Sequence, residues 1–129
     1  MMNKKILHPP NAPQTIGPYS HAVEANGFLF ISGQMPVDPA TGKLIEGGIE
    51  AQTHRVLKNM REILQAAGLS FQNVVKTTCL LSDIKNFPLM NGVYAEYFHE
   101  VPPARATFAV AALPLGALVE IDAIATKGL

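Results

Sequence analysis

The chain has no tryptophan, a single cysteine and no excess of charge of either sign. One cysteine, Cys79, excludes an intrachain disulfide, so packing alone must hold the fold, as suits a reducing compartment. Ten basic residues balance ten acidic ones, which removes any general attraction to nucleic acid, and no long basic run restores one locally. The same balance leaves self-association unopposed by charge. No apolar stretch approaches the ~20 residues that span a bilayer. Lys4 and Lys5 are followed by His8-Pro9-Pro10-Asn11 rather than by the apolar region of a signal peptide, so the expected location is the cytoplasm. What the chain does have is core-forming material: 48% of its residues are hydrophobic and only 16% charged. At 129 residues one domain, 1–129, is the natural expectation.

Periodicity divides the chain without repeats or linkers. Residues 9–18 read as an extended, proline-rich loop. Strand-like residues 20–25 and 28–32 flank Asn26-Gly27, a dipeptide that accepts the positive φ of a type I′ hairpin turn. Asp38-Pro39-Ala40-Thr41-Gly42 is a second turn cluster. From 49 to 67 the period becomes helical, with Ile49, Thr53, Val56, Leu57, Met60, Ile63, Leu64 and Ala67 on one stripe and Gly68 as the stop. His54, Arg55, Lys58, Arg61 and Glu62 fall off the stripe, as on a solvated face. Residues 74–82 form a strand, with Cys79 a small buried core residue. Asp83–Asn86 offer helix-starting groups, Pro88 is tolerated in a first turn, and a second helix runs to about His99. Phe87, Met90, Tyr94, Tyr97 and Phe98 are its packing residues. The order is three strands, a long helix, a strand, a short helix and two strands: an α+β fold with a mixed or antiparallel sheet and both helices on one face.

The last two strands carry the chemistry. Read as a tight hairpin around Pro114-Leu115-Gly116, they set Ala117, Val119, Ile121, Ala123 and Ala125 on an apolar face with Phe108 and Val110. Arg105, Thr107, Ala109 and Ala111 then share the opposite face with Leu118, Glu120, Asp122 and Ile124. Cross-strand neighbours lie about 4.5–5.5 Å apart at Cβ and diagonal ones about 7–8 Å. Two readings stay open: an Arg105–Asp122 ion pair that holds register, or a small-anion site in which arginine grips a planar carboxylate. Spacing does not separate Glu120 from Asp122. The apolar residues on that face suggest cover by another subunit, the alternative being a half-solvated antiparallel sheet. Gly17-Pro18-Tyr19-Ser20, Ser32-Gly33-Gln34 and Asn91 look like walls of a site. His8, His21, His54 and His99 lie in unrelated segments, and Lys76 reads as an exposed strand lysine. No zinc-deaminase signature is present.

With these stretches in view the chain resembles the Rid family of reactive-intermediate deaminases, also called the YjgF or L-PSP family. The resemblance spans essentially the whole chain. It rests on Ile16-Gly17-Pro18-Tyr19-Ser20, Ile31-Ser32-Gly33-Gln34-Met35-Pro36-Val37, Val75-Lys76-Thr77-Thr78, Phe87 through Met90-Asn91 to Tyr94, Pro103-Ala104-Arg105 and Val119-Glu120-Ile121, in joint order and spacing. It implies a chorismate-mutase-like fold, a homotrimer with sites between subunits, and no cofactor or metal. The implied activity is hydrolysis of 2-imino acids such as 2-iminobutanoate and 2-iminopropanoate, with their enamine tautomers, to 2-keto acids and ammonia. By position, Arg105 binds the substrate carboxylate, Glu120 orients or activates water, and Tyr19 lines the pocket beside the reacting group. Ser32, Gly33 and Asn91 shape the cleft. Thr107 is a substrate-binding residue whose main-chain groups face the ligand; it stands where many relatives have cysteine, which argues against a mechanism needing a thiol there. Two other functions stand beside it: a non-catalytic trimer that binds small carboxylates and acts on a partner, and an RNA-cleaving or translation-inhibiting protein, which the missing basic stripe opposes.

Overall fold

Asn26 and Gly27 adopt φ of 53° and 80°, the positive values of the expected I′ turn. They join β2 (Ala22–Ala25) to β3 (Phe28–Gln34) in a computed structural model that describes residues 3–15 and 17–128. Ile16, which opens the Gly17–Ser20 stretch, and residues 1, 2 and 129 of the expected domain lie outside the described residues. A short strand to which the sequence reading assigned no residues, β1 (Lys5–Leu7), runs antiparallel to β2. The helical stripe becomes α1 (Ile49–Ala66), with every predicted stripe residue from Ile49 to Leu64 buried. Gly68 at φ 73° ends it, with Gly68 and Leu69 amides donating back to the Gln65 and Leu64 carbonyls. That pattern satisfies acceptors in the last turn of the helix. Then follow β4 (Val74–Leu81), α2 (Phe87–Tyr97), β5 (Ala104–Ala109) and β6 (Val119–Thr126). The polar face of α1 is less solvated than predicted. His54 hydrogen-bonds the Tyr97 hydroxyl at 2.8 Å, and Arg61 lies over the Phe71 and Tyr97 rings.

Among the described residues six strands make one mixed sheet in the order β1-β2-β3-β6-β4-β5. The tight terminal hairpin does not form. β4 lies between β5 and β6, parallel to β5 and antiparallel to β6. A parallel pair needs a crossover, which α2 supplies. The segment after β5 steps over the end of β4: Val110 donates to the Leu81 carbonyl, and Ser82 donates to the Leu118 carbonyl. Register partners share a face. Thr77, Cys79 and Leu81 of β4 pair with Ala123, Ile121 and Val119 of β6, and with Arg105, Thr107 and Ala109 of β5.

This face is covered by both helices. α1 packs on β3, β6 and α2, and Tyr94 of α2 meets Thr77 of β4. Cys79 is fully buried there, as predicted, and burial pushes its thiol up to about 11 despite the nearby Arg105 charge. The other face carries Glu120 beside Leu80 and Phe108, Asp122 beside Thr78, and Phe30 beside Ile124. Arg105, Thr107 and Ala109 are therefore on the helix side, and Phe108, predicted inward, is 49% exposed on the open face. Leu118, expected on the open face, precedes β6 and packs on the core. Phe28 and Phe30 are 41% and 44% exposed, so the open face remains apolar although its membership differs. Among the described residues no helix is long and apolar enough to cross a membrane.

Candidate active site in two halves

Arg105 sits on edge strand β5 and reaches under α2. Phe87, Asn91 and Tyr94 recur at intervals of four and three, so they share one side of that helix. The guanidinium carbon lies 4.7 Å from the centre of the Tyr94 ring and 5.4 Å from that of Phe87, within cation–π range. An Arg105 NH1 group donates to Asn91 Oδ1 at 2.7 Å. Tyr94 is in turn fixed by a 2.7 Å bond between its hydroxyl and Thr77 Oγ1. Burial pushes that phenol up to about 12, so it stays neutral. Thr107 lies on the same face, registered on Cys79, with its Oγ1 buried and the Cys79 thiol as its neighbour. A positioned guanidinium suits a ligand with acceptor oxygens.

Glu120 belongs to the opposite face and to a different part of the chain. Here the β3–β6 register slips between Ile31/Ala123 and Gln34/Ile121, leaving Ser32 and Gly33 against Asp122, as a bulge does. The bulge brings Gly33 onto Glu120: a Cβ built there would lie 2.2 Å from Oε2 and 2.8 Å from Cδ. Ser32 is held by Oγ donating to the Ser20 carbonyl at 2.6 Å and by its amide donating to the His21 carbonyl at 2.9 Å. Tyr19, Ser32, Gly33, Met35, Leu115 and Glu120 line a cleft of about 510 Å³. Burial, then the Asp122 charge, raises the Glu120 carboxyl above its ordinary range. Such a shift makes a carboxylate a better proton acceptor near neutral pH. Asp122 itself accepts from the Thr78 amide at 3.1 Å, which occupies it structurally and separates it from Glu120 in role.

The predicted residues thus fall into two groups. Tyr19, Ser32 and Gly33 gather at Glu120; Asn91 and Thr107 gather on the side of Arg105. Within one chain the groups do not meet, because β4 intervenes and the two side chains leave opposite faces. The cross-strand Arg105–Asp122 pair is excluded for the same reason, since Arg105 is registered on Thr77 and Asp122 on Thr78. Sequence reasoning took Phe87 and Tyr94 only as packing residues. It overlooked Met35 and Leu115 as cleft walls, and Leu115 carries a signal only in hindsight, preceding Gly116 in a turn. His21, read as unrelated to the site, borders an adjoining lobe of about 260 Å³ shared with Tyr19 and Gly33, its Nδ1 buried and unpaired among the described residues and its Nε2 against the Pro13 carbonyl.

Known proteins agree with this architecture. A family model described as Endoribonuclease L-PSP matches residues 9–127. The 2-iminobutanoate/2-iminopropanoate deaminase of Mus musculus is 49% identical over 125 residues, spanning 97% of this chain and 93% of its own length. A solved structure of a Yersinia pestis protein of the Rid family, described as of unknown function, is 48% identical with a TM-score of 0.92, covering 95% of this chain and 98% of that one. The structure of Escherichia coli TdcF with bound serine is 38% identical, with a TM-score of 0.91 over 96% of this chain and 99% of that one. The chain belongs to the L-PSP family, whose members include the Rid proteins.

Proposed function

We propose that this chain hydrolyses reactive 2-imino acids and their enamine tautomers, 2-iminobutanoate and 2-iminopropanoate among them, to 2-keto acids and ammonia. We further propose that its working unit is a homotrimer with sites between subunits. The name of the mouse relative supports the reaction. The assembly is supported by one observation: Arg105 and Glu120 occupy opposite faces of one sheet, so a site that uses both needs two chains. The exposed Phe28, Phe30 and Phe108 give the open face apolar surface for a neighbour to bury.

In this reading Arg105 of one subunit clamps the substrate carboxylate, with Asn91 and Thr107 beside it. The substrate reacts as its protonated iminium: Glu120 of the next subunit takes a proton from water as the water oxygen adds to the iminium carbon, giving a neutral carbinolamine. Glu120 passes that proton to the amine nitrogen and takes the hydroxyl proton as the C–N bond breaks, so that ammonia leaves, C=O stands where C=N was, and Glu120 releases its proton to solvent. Tyr19 hydrogen-bonds the reacting group, while Ser32 and Gly33 shape the pocket around the water. The imine carbon is already electrophilic, so orientation supplies most of what is needed, and no thiol at position 107 is required.

A mixing experiment tests both parts. Threonine dehydratase generates the imine and 2-ketobutyrate release is followed. Arg105→Ala and Glu120→Gln homotrimers should each be inactive. Co-assembled at equal ratio, they should recover about a quarter of wild-type activity, because random neighbours pair an intact arginine with an intact glutamate about one time in four. No recovery from a mixture shown by mass spectrometry to contain both chains would sink the intersubunit site. A wild-type protein that fails to accelerate release would sink the deaminase.

The bound serine in TdcF is an amino acid rather than an imine. It favours a second reading, a trimer that senses small carboxylates without turnover. That reading predicts calorimetric binding of 2-ketobutyrate by a wild-type protein that gives no rate acceleration.

A further inference from the structure

We propose that Tyr94, fixed by Thr77, is a positioning residue for Arg105: its ring is the platform that sets the guanidinium in its carboxylate-gripping orientation. The inference rests on the reading that Arg105 binds the substrate carboxylate, and it adds how that arginine is prepared to do so.

An arginine on an edge strand would ordinarily spread over many rotamers, and ordering it on binding would cost side-chain entropy. Here three contacts order it in advance. The Tyr94 ring centre is 4.7 Å from its guanidinium carbon, the Phe87 ring centre 5.4 Å, and Asn91 Oδ1 takes one of its five N–H donors at 2.7 Å. Phe87 and Asn91 stand on the rim of α2. Tyr94 is 5% exposed and is itself bonded to fully buried Thr77 of β4. The platform is thus tied to the strand next to the one that carries Arg105, and strand, ring and guanidinium form one rigid chain of contacts. A buried tyrosine needs some partner for its hydroxyl, so the Thr77 bond alone would fit a plain core residue. The ring face against a guanidinium at the mouth of a site does not follow from core packing.

The two possibilities separate in kinetics. Loosening the clamp while Arg105 stays in place weakens substrate and transition state alike, so it raises KM and leaves kcat. For Tyr94→Leu we expect KM for the imine to rise about tenfold, in line with the usual strength of a desolvated cation–π contact, with kcat within about twofold. The inhibition constant of 2-ketobutyrate should rise in parallel. Tyr94→Phe keeps the ring and loses the lock, so it should give a rise of about two- to threefold, as should Thr77→Val, while Thr77→Ser should restore wild-type values. Melting temperature and gel filtration accompany each variant. If Tyr94→Leu does not fold, Tyr94→Phe and Thr77→Val carry the decision. Unchanged KM and inhibition constant in folded variants would overturn the inference. So would a fall in kcat alone, or KM effects of Thr77→Ser matching those of Thr77→Val. Arg105→Ala serves as the reference, read by calorimetric binding of 2-ketobutyrate: if it binds like wild type, the reading of Arg105 itself fails, whereas lost binding in Arg105→Ala beside wild-type Tyr94 variants removes only the role of Tyr94.

Discussion

Around Arg105 the chain packs two aromatic rings and an amide against a charged side chain; around Glu120 it places a bulge, a glycine and a leucine in left-handed backbone. The first half is ordered by side-chain contacts continuous with the core. The second is made by backbone irregularity: a slipped register, a missing Cβ at Gly33, and Leu115 at φ 61°. The difference matches the two tasks proposed for these residues. A clamp must hold one orientation, which tight packing provides. A base must be partly desolvated yet reachable, which needs backbone close to the carboxylate without side-chain bulk in the way.

Gly33→Ala should break the comparison most sharply. Gly33 is not in positive-φ backbone, so alanine meets no conformational penalty, only the clash with the Glu120 carboxyl. The flexible carboxylate can move aside, and stability should change little. Displacing a catalytic group by about 1 Å can cost about a hundredfold in rate. We therefore expect kcat to fall by about that factor while the 2-ketobutyrate inhibition constant, which the proposal assigns to the Arg105 half, stays within about twofold. A parallel loss of inhibitor binding would mean the halves are not separable.

That the halves are separate was not legible in the sequence, although their members were. Alternation assigned both faces of β6 correctly, because Val119, Ile121, Ala123 and Ala125 leave no doubt which side is buried. β5 reads Ala-Arg-Ala-Thr-Phe-Ala, small on both sides, so alternation alone does not fix its phase. Taking Phe108 and Val110 as inward residues turned Arg105 to the wrong face, whereas Phe108 is exposed on the open face. No local signal marks the insertion of β4, since strand order depends on long-range contacts. The helix stripe, the Asn26-Gly27 turn and the buried Cys79 were legible because each depends on residues near in sequence. The Arg105 platform lay in plain view as Phe87, Asn91 and Tyr94 at helical spacing, but the rings read as packing until the strand beneath them was known.

Asp122→Asn should tune one half and leave the other. Burial is the first cause of the raised Glu120 carboxyl and Asp122 the second. If Glu120 acts as base, kcat/KM falls on the acid side as it is protonated, and that limb lies above the ordinary carboxylate range. Removing the Asp122 charge should move the limb to lower pH, with the plateau unchanged, in a pH–rate profile; a limb that stays put or rises would remove Glu120 as its source. Stability carries the opposite sign. The native chain holds this proton more tightly than the unfolded chain, so the contribution is present below the unfolded pKa and lost as pH rises through the folded one. Glu120→Gln should abolish that loss in melting curves over the same window.

Leu115→Gly is the smallest and most local test. A non-glycine residue in left-handed backbone costs about 1–2 kcal/mol, and Leu115, 54% exposed, recovers little of it by burial within the chain. Glycine relieves the strain but adds about 0.4–1 kcal/mol of unfolded-state entropy. The net expectation is a gain of about 0.5–1 kcal/mol, from the difference of those two terms, read as a slightly higher melting temperature. The leucine is then kept for what it does at the cleft it lines with Tyr19 and Glu120, and the variant should lose preference for imines with longer apolar side chains, as the missing methylenes no longer meet them. A lower melting temperature together with a weakened trimer would instead mean that Leu115 is buried against a neighbouring subunit, and the Glu120 half would owe its shape to that contact rather than to strain within the chain.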